Sequence, residues 1–491
     1  MKIQQFLEHH GIERNPFADE DAQTDPVFKE SCINSTYHPS WDKIYGDPSE
    51  PNTSIVFGEK GAGKTAMRLQ IAEHLSDYNA EHPDDRAYVV EYDDFNPFLD
   101  QFRTHYGRHR RVEKILSEYK LWDHMDAILA LGVTQLIDNL LDPKHSAEKL
   151  DPRRFDRRDA RDLLLLAAFY DRSTTDTVKG RWQRLRSLLG FSTWKAQWDL
   201  AVGVVLTVAL IVLSFFGDFW STWLGLIWPY PIILGAIWAP WCLRWVKRWW
   251  MSSRAVKQMR VLSRDGTNMR QLMMNFSNDE LSNQPTPTKS RTDDRYELLA
   301  KLQNLLKRLG YTGMIVLVDR VDEPDLIGGS SERMKAFLWP MFDNKFLKQP
   351  GVGFKLLLPV ELSHYIDRAD RDFYQRARLD KQNLIRSLEW TGEALYDVAN
   401  ARLRACVKGE SNIALRQLFD ESINDRRLLD TLREMRVPRH LFKFMYMLLV
   451  SHSNAHTEDA PVWRINSETF ETTLALFRRD QSMMERGMNA V

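Results

Sequence analysis

The segment from Gly58 to Thr65 has the residue types and the spacing of a phosphate-binding loop. It consists of Gly58, Glu59, Lys60, Gly61, Ala62, Gly63, Lys64 and Thr65, which is the pattern GxxxxGKT. Glycines allow successive backbone N–H groups to turn towards phosphate oxygens, the lysine reaches the β- and γ-phosphates, and the threonine hydroxyl holds Mg²⁺. The pattern therefore predicts a site for a nucleoside triphosphate and Mg²⁺.

The segments on either side of this loop fit the same function. Residues 54–57 form a short apolar run that is typical of a buried strand, and residues 66–75 carry apolar side chains at helical spacing. Strand, glycine-rich loop and helix are the context in which the motif binds phosphate. The alternative is a chance glycine-rich turn, which the flanking elements disfavour.

A second group of chemically capable residues follows an apolar run at residues 314–318. This run predicts a central parallel strand, and it ends in Asp319-Arg320-Val321-Asp322-Glu323. Asp319 is expected to orient the Mg²⁺-bound water, and Asp322 or Glu323 to polarise the water that attacks the γ-phosphate. A strand that ends in acids is a weak motif by itself. It becomes informative because the phosphate-binding loop lies upstream.

Further apolar runs predict the rest of a parallel sheet. Residues 87–92 end in Asp93-Asp94, residues 354–359 precede Val360 and Glu361, and residues 383–388 form a short last run. Ligand-sensing side chains lie at the carboxyl ends of such strands, so Glu361 is either a sensor or an ordinary loop acid. From residue 391 onward the pattern is helical. The expected fold class is α/β, a P-loop NTPase with a parallel sheet and a C-terminal helical lid.

A long apolar, tryptophan-rich stretch separates the loop from the acid strand. Residues 200–216 and 219–243 are uncharged, and only Gly217-Asp218 joins them, which predicts a transmembrane hairpin with two spans. Basic residues flank its outer ends only, so both outer ends are expected in the cytoplasm. The alternative is a buried hairpin within a soluble helical domain. The hairpin is expected to be an anchor in membrane lipid, and a pore built from several copies is the other possibility.

Bulk composition limits the other classes of function. The chain has 491 residues with 67 basic and 67 acidic side chains, so no net charge favours nucleic-acid binding. Cys32, Cys242 and Cys406 lack the spacing of metal ligands and indicate reduced thiols. The first ten residues lack the apolar core of a secretion signal.

Several arginines are candidates for stabilising phosphoryl charge. Arg368, Arg371, Arg376 and Arg378 form a cluster, and one of them, represented here by Arg378, could enter a neighbour's site in a homo-oligomer. Arg439 follows Pro438 at the start of a predicted helix and could act within its own chain. Surface ion pairs are the alternative for each arginine of the cluster.

Together these motifs resemble the KAP family of P-loop NTPases, which is related to AAA+ and STAND ATPases. The resemblance rests on the GxxxxGKT loop, the distant acid strand, the membrane helices between them, and Val437-Pro438-Arg439, which is similar to the Pro-Arg of their helical lid. Asn15-Pro16-Phe17 is similar to a segment that approaches the nucleotide base, which implies that Asn15 and Phe17 bind cofactor. A common KAP acid motif, hhhhDDxDR, lacks its second acid and final arginine here, which leaves the water-activating residue open.

The resemblance implies a membrane-associated ATPase of the bacterial inner (plasma) membrane, with a link to phage exclusion. The expected activity is ATP-dependent conformational switching or oligomerisation, and an unidentified protein partner is a further expectation. The alternatives are a nucleotide-binding scaffold with little hydrolysis and a membrane-tethered motor on DNA or a secretion complex. The expected segments are an N-terminal segment (1–50), the first half of the NTPase (51–100), a helical insertion (101–195), the hairpin (196–250), a juxtamembrane helix and linker (251–290), the second half of the NTPase (291–390) and the lid (391–491).

Overall fold

The computed structural model is a mixed α/β protein built around a parallel sheet. It describes residues 1–107, 109–142, 150–172, 176–216, 229–367, 377–379, 382–408 and 413–488. Within these ranges the sheet has five strands: β1 (Ser54–Gly58), β2 (Arg86–Tyr92), β3 (Tyr311–Val318), β4 (Val352–Pro359) and β5 (Asn383–Ile385).

Helices make up most of the remaining described chain. Those before the apolar stretch are α1 (Ile3–His9), α2 (Trp41–Tyr45), α3 (Lys64–Glu81), α4 (Asn96–Tyr106), α5 (Val112–Ser117), α6 (Leu121–Leu141), α7 (Arg157–Tyr170) and α8 (Val178–Leu188). The following helices, up to the last strand, are α9 (Trp194–Phe216), α10 (Pro229–Gln258), α11 (Gly266–Met273), α12 (Asn278–Leu281), α13 (Asp293–Arg308), α14 (Ser331–Leu338), α15 (Asn344–Leu347) and α16 (Ser363–Asp367). The C-terminal helices are α17 (Gly392–Ala405), α18 (Asp425–Met435), α19 (Pro438–Ala455) and α20 (Ser467–Met488).

The strand order across the sheet is β2-β3-β4-β1-β5, and every pairing is parallel. β4 therefore separates the strand that leads into the phosphate loop from the strand that ends in Asp319. All carboxyl ends meet at one edge because the strands run in the same direction. In open parallel sheets this edge is where ligands bind.

The predicted strands are confirmed, with small changes at their ends. β1 and β4 are buried along their whole length, as expected of central parallel strands. β3 begins at Tyr311, three residues before the predicted apolar run. β5 stops at Ile385 because Arg386 turns into solvent and pairs with Asp367 at 3.2 Å.

The helices of the predicted insertion pack directly on the sheet. The Tyr88 hydroxyl of β2 donates a 2.7 Å hydrogen bond to the Gly132 carbonyl of α6. A Cβ atom at Gly132 would lie only 3.3 Å from Leu302 of α13, so glycine allows this close approach. Arg295 of α13 and Asp126 of α6 form an ion pair in which neither side chain has exposed surface. A buried pair of this kind is strongly destabilising to break, which fixes α6 against α13.

The C-terminal helices form a second apolar core together with the N-terminal segment. Phe6, Leu7 and Phe17 from the start of the chain are buried among residues of α17 to α20. The buried guanidinium of Arg402 joins the two parts, because its Nη2 lies 2.5 Å from Asp25 Oδ2 and its Nε donates to the Pro16 carbonyl. The N-terminal segment thus packs into the C-terminal helical unit of α17 to α20, for which we keep the name lid.

The apolar stretch forms two helices that pack against each other, α9 and α10. Among the described residues, one helical segment, Trp194–Leu213, is long and apolar enough to cross a membrane by length and composition, and only 11% of its most apolar window is buried. Residues 217–228, which include the predicted link and the start of the second stretch, lie outside the described residues. α10 is one continuous helix that includes Pro240.

Polar contacts hold the two helices of the stretch together. The Trp238 indole N–H donates to Thr207 Oγ1 at 3.1 Å, and a Cβ at Gly203 would contact the Trp238 ring at 3.5 Å. At the base of the pair, Arg244 Nη1 lies 3.0 Å from Asp199 Oδ2. The charged and polar groups of these contacts lie between α9 and α10, and the outer faces of the two helices are apolar.

Candidate functional site

The predicted phosphate-binding loop connects β1 to α3 at the carboxyl edge of the sheet. Gly61 and Gly63 have φ angles of +89° and +93°, which side chains with a Cβ rarely adopt. Ala62 between them is fully buried and packs with Leu388 and Val437. The two glycines turn the backbone while Ala62 anchors the loop to the protein, so the loop has a fixed shape.

Lys64 is the first residue of α3 and extends along the inside of the loop. Its Nζ donates to the carbonyls of Gly58 and Glu59 at 2.8 and 2.9 Å. Burial lowers the pKa of Lys64, and the nearby carboxylates of Asp319, Asp322 and Glu361 oppose this effect. The Lys64 ammonium and the backbone N–H groups at the N-terminus of α3 are hydrogen-bond donors that suit an anionic group such as phosphate.

Thr65 and Asp319 are in direct contact. The Thr65 hydroxyl donates a 2.9 Å hydrogen bond to Asp319 Oδ2. Only 1% of Asp319 is exposed, and burial raises its pKa, while the hydrogen bond from Thr65 acts in the opposite direction. The structure thus brings together the two residues that the sequence predicted as the Mg²⁺ site.

A cavity of about 360 Å³ lies over the loop. Its volume falls in the usual range of small-molecule sites. Lys60, Gly61, Gly63, Lys64 and Thr65 form its floor, and Gly58, Glu59 and Ala62 are not among its lining residues. The N-terminal segment and the lid provide walls of the cavity, and their residues include Glu20, Phe28, Cys32, Val398, Arg439 and Phe442.

The candidate water-activating acids differ in their surroundings. Asp322 lines the cavity and is half-buried, and Glu361 lines it from the end of β4. Glu323 also lines the cavity, but it is exposed and its Oε2 lies 2.5 Å from Arg320 Nη2. Glu323 is therefore engaged by the residue that follows Asp319. The geometry favours Asp322 over Glu323 for a role next to Lys64.

Arg439, the predicted cis-acting arginine, lies against the predicted phosphate-binding loop. Its backbone N–H donates to the Gly61 carbonyl at 3.3 Å, and its side chain packs on Gly61, where an added Cβ would be 2.5 Å from Arg439 Cβ. Its Nε lies 3.7 Å from Glu20 Oε2 of the N-terminal segment. Loop, lid and N-terminal segment therefore meet at this arginine.

Besides Gly58, Glu59 and Ala62 of the loop, three further predicted residues do not line the cavity. Asn15 accepts a hydrogen bond from the Phe17 N–H, which closes a local turn, and Phe17 is 1% exposed and packs near Phe442 in the lid core. The apolar ring is buried because it joins the segment to the lid, so Glu20 to His38 provide the wall instead. Arg378 is exposed and lies outside the cavity, and Arg368, Arg371 and Arg376 lie outside the described residues.

Two residues at the site were missed by the sequence analysis. The Trp390 indole N–H donates to the Ala62 carbonyl at 2.9 Å and holds the loop from the lid side. Arg68 lies one helical turn after Thr65 and contacts Asp319, with Nε 3.6 Å from Oδ2. Trp390 carries no sequence signal, because tryptophans are frequent throughout this chain. The spacing of Arg68 from Thr65 was the available signal for the second residue.

The residues present fit a Mg²⁺–nucleotide. Mg²⁺ prefers oxygen ligands and in nucleotide sites is bound by one or two carboxylates together with phosphate oxygens. Thr65 and Asp319 supply a hydroxyl and a carboxylate, and the part of the chain that the structure describes has no cluster of three or more His, Cys, Asp or Glu suited to an all-protein metal site. Lys64 and the loop glycines supply the donors for phosphate.

Known proteins add no independent assignment to this geometry. Comparison of the chain with protein-family models, with curated proteins and with solved structures gives no match in any of the three.

Proposed function

We propose that this chain is a membrane-anchored P-loop ATPase of the KAP type that uses ATP binding and hydrolysis for conformational switching or oligomerisation. The observation that carries the proposal is the contact between Thr65 and Asp319 beside Lys64, at the edge of a parallel sheet. Two segments that are remote in the sequence meet there in the arrangement that a Mg²⁺–triphosphate requires.

The position of the cavity supports a switching function. Its walls come from the N-terminal segment, the sheet and the lid, which Glu20, Asp319 and Arg439 represent. A nucleotide bound there contacts all three parts, so its binding energy can change how the lid and the N-terminal segment pack on the sheet. A ligand shifts such an equilibrium only through its different affinity for the two arrangements.

The apolar helices support a membrane anchor with two spans. Large apolar side chains on their outer faces are exposed to an extent that soluble proteins rarely show. These residues are Trp194, Trp198, Val205, Leu206, Val208, Ile211, Leu213, Ile232, Leu243, Val246, Trp249 and Trp250. We place the anchor in a bacterial inner membrane with the ATPase on the cytoplasmic side, because the flanking basic residues lie at its outer ends. A role in anti-phage defence or membrane signalling is proposed from the family resemblance.

ATP binding is the first test of the proposal. The full chain is purified and placed in lipid nanodiscs, and the affinity for a fluorescent ATP analogue is measured together with phosphate release. Lys64→Ala is expected to abolish binding, whereas Lys348→Ala, a change of the same type at an exposed lysine, is expected to have no effect. Unchanged affinity in Lys64→Ala would refute the phosphate-loop assignment.

Extraction tests the anchor separately. Membranes that contain the chain are washed with alkaline carbonate, which removes peripheral proteins, and the pellet is then solubilised with detergent. The chain is expected to remain in the pellet until detergent is added, with or without the Lys64→Ala change. Recovery as a soluble monomer without detergent would show that α9 and α10 are not an anchor.

A scaffold that binds ATP but hydrolyses it slowly is the second candidate. Arg320 occupies the position directly after Asp319, and it pairs with Glu323, so one of the two candidate acids is engaged. Tight ATP binding with no measurable turnover in the unmodified chain would favour this candidate over a turning-over ATPase.

A further inference from the structure

Arg68 is a buried arginine at the nucleotide site whose charge is shared among acids from two strands. It lies on α3, three residues after Thr65, so both side chains project from the same side of the helix. Only 3% of its side chain is exposed. A buried guanidinium is unfavourable unless it is paired, so its partners determine where it can lie.

The partners of Arg68 come from the carboxyl ends of β2 and β3. Its Nη1 lies 3.1 Å from Asp93 Oδ2 and also contacts Glu91, and its Nε lies 3.6 Å from Asp319 Oδ2. The same oxygen of Asp319 accepts the hydrogen bond from Thr65. Among the described residues, Nε has no hydrogen-bond partner, so its contact with Asp319 is an ion pair and no other acceptor competes for it.

These contacts form a continuous bridge from Asp93 to the predicted Mg²⁺ site. Building on the proposed function, we propose that Arg68 is a positioning residue: held by Glu91 and Asp93, it fixes the Asp319 carboxylate relative to the Thr65 hydroxyl. The Asp319 side chain then meets Mg²⁺ in one orientation. Without Arg68 the carboxylate would keep Thr65 as a partner but lose the group that restrains it from the β2 side.

The choice of arginine fits this role. A guanidinium is planar and presents several N–H donors in a fixed fork, so it can face two carboxylates at once. A lysine ammonium in the same place retains the charge but cannot hold both Asp93 and Asp319 with the same geometry. Arg68→Lys is therefore expected to restore part of the function of Arg68, whereas Arg68→Gln removes it.

The test compares nucleotide affinity with and without Mg²⁺. The full chain in nanodiscs is titrated with a fluorescent ATP analogue, once with Mg²⁺ and once with EDTA, and the ratio of the two affinities gives the gain due to the metal. In Arg68→Gln this gain should fall by about tenfold or more, in line with groups that orient metal ligands. Affinity in EDTA should stay within about twofold, because Lys64 and the loop remain intact.

Two further variants separate positioning from folding. Asp93→Asn weakens the anchor of Arg68 and should lower the gain in the same direction but less strongly, and Arg68→Lys should fall between wild type and Arg68→Gln. Arg14→Gln, which removes a surface ion pair with Glu30, is the matched control and should keep the full gain.

Each result has a definite consequence. A wild-type gain in folded Arg68→Gln would overturn the proposal, as would an equal loss of affinity in Mg²⁺ and EDTA. If Arg68→Gln does not fold, an unchanged gain in Asp93→Asn overturns it instead. Absence of ATP binding by the unmodified chain would refute the proposed function itself, which is a different outcome from a selective loss of the metal-dependent gain.

Discussion

The Thr65 hydroxyl and the Asp319 carboxylate are 2.9 Å apart although 254 residues separate them in the chain. The chain between them contains α4 to α13, including the apolar pair α9 and α10. The contact survives because the sheet brings the ends of β1 and β3 to the same edge, one strand apart. The sheet is thus assembled from two parts of the chain that lie on either side of a long intervening segment.

This contact predicts a selective effect of Asp319→Asn. The amide keeps the size of the side chain but lacks the charge that a Mg²⁺–water shell requires, so phosphate release should fall by about 100-fold. Binding of ATP in EDTA should persist, because Lys64 is unchanged. Phosphate release and analogue binding measure the two effects, and Asp325→Asn, an exposed acid of the following loop, is the control. Full activity in Asp319→Asn would remove Asp319 from the site.

The acids near Lys64 are expected to differ in importance. Asp322→Asn should lower kcat by about 100-fold, a typical loss for a residue that activates water. Glu323→Gln should have a smaller effect, because Arg320 already engages Glu323. Turnover at saturating ATP measures both. A larger loss in Glu323→Gln would contradict the order, and a dominant loss in Glu361→Gln would place water activation at the end of β4.

Gly61→Ala should lower stability and ATP affinity by more than the strain of its backbone conformation alone explains. At a φ of +89° an alanine is strained by about 1–2 kcal/mol, and its Cβ would also lie 2.5 Å from Arg439 Cβ. Gly107→Ala is the matched control, because Gly107 has a φ of +87° with nothing within 4 Å of an added Cβ. Thermal unfolding and ATP affinity are measured for both. We expect only Gly61→Ala to lose affinity, and equal affinities would contradict the contact with Arg439.

His124 predicts a loss of stability in acid. It is fully buried between the Tyr92 hydroxyl, at 3.1 Å from Nδ1, and the Phe337 carbonyl, at 2.8 Å from Nε2. Burial lowers its pKa from the ordinary 6.5 to about 4, so the unfolded chain takes up this proton first as the pH falls. The contribution is fully present above pH 6.5 and is lost between pH 6.5 and about 4. The loss amounts to about 3 kcal/mol.

Chemical unfolding of the detergent-solubilised chain at several pH values measures this effect. Burial also lowers the pKa of His10, His38, His440 and His452, so the comparison is with His124→Gln, which cannot take up a proton at this position. The free energy of unfolding should fall more steeply between pH 6.5 and 4 in the unmodified chain. Parallel curves would show that His124 does not contribute.

Local pattern predicted the strands and the loop well, because buried parallel strands are continuous apolar runs and the loop has a fixed spacing. The partners of each side chain depend on packing between remote segments, and these were less predictable. Phe17 is an example: its short motif suggested contact with a base, but its ring is buried in the lid core. Trp390 is the opposite case, because it holds the loop at Ala62 only after β5 and α17 have brought it there.

The contacts of Arg68 also depend on packing between segments that are remote in the sequence. Its spacing from Thr65 was visible in the sequence, and Asp93 was visible as the end of a predicted strand. Arg68 and Asp93 lie close to Asp319 because β2 lies beside β3, and this strand order cannot be read from a local pattern. Sequence spacing therefore identified the elements of the site but not the bridge between them.

The first turns of α10 carry exposed apolar side chains, Ile232 and Leu234, and its last turns reach the protein core, where Ala255 is buried. Its 30 residues correspond to about 45 Å of unbroken helix. Such a rod acts as a lever: a tilt of a few degrees at one end displaces the other by several ångströms. If α9 and α10 are the proposed anchor, changes in bilayer thickness or lateral pressure would therefore shift the inner end of α10, and movements of the sheet domain would deform the surrounding lipid.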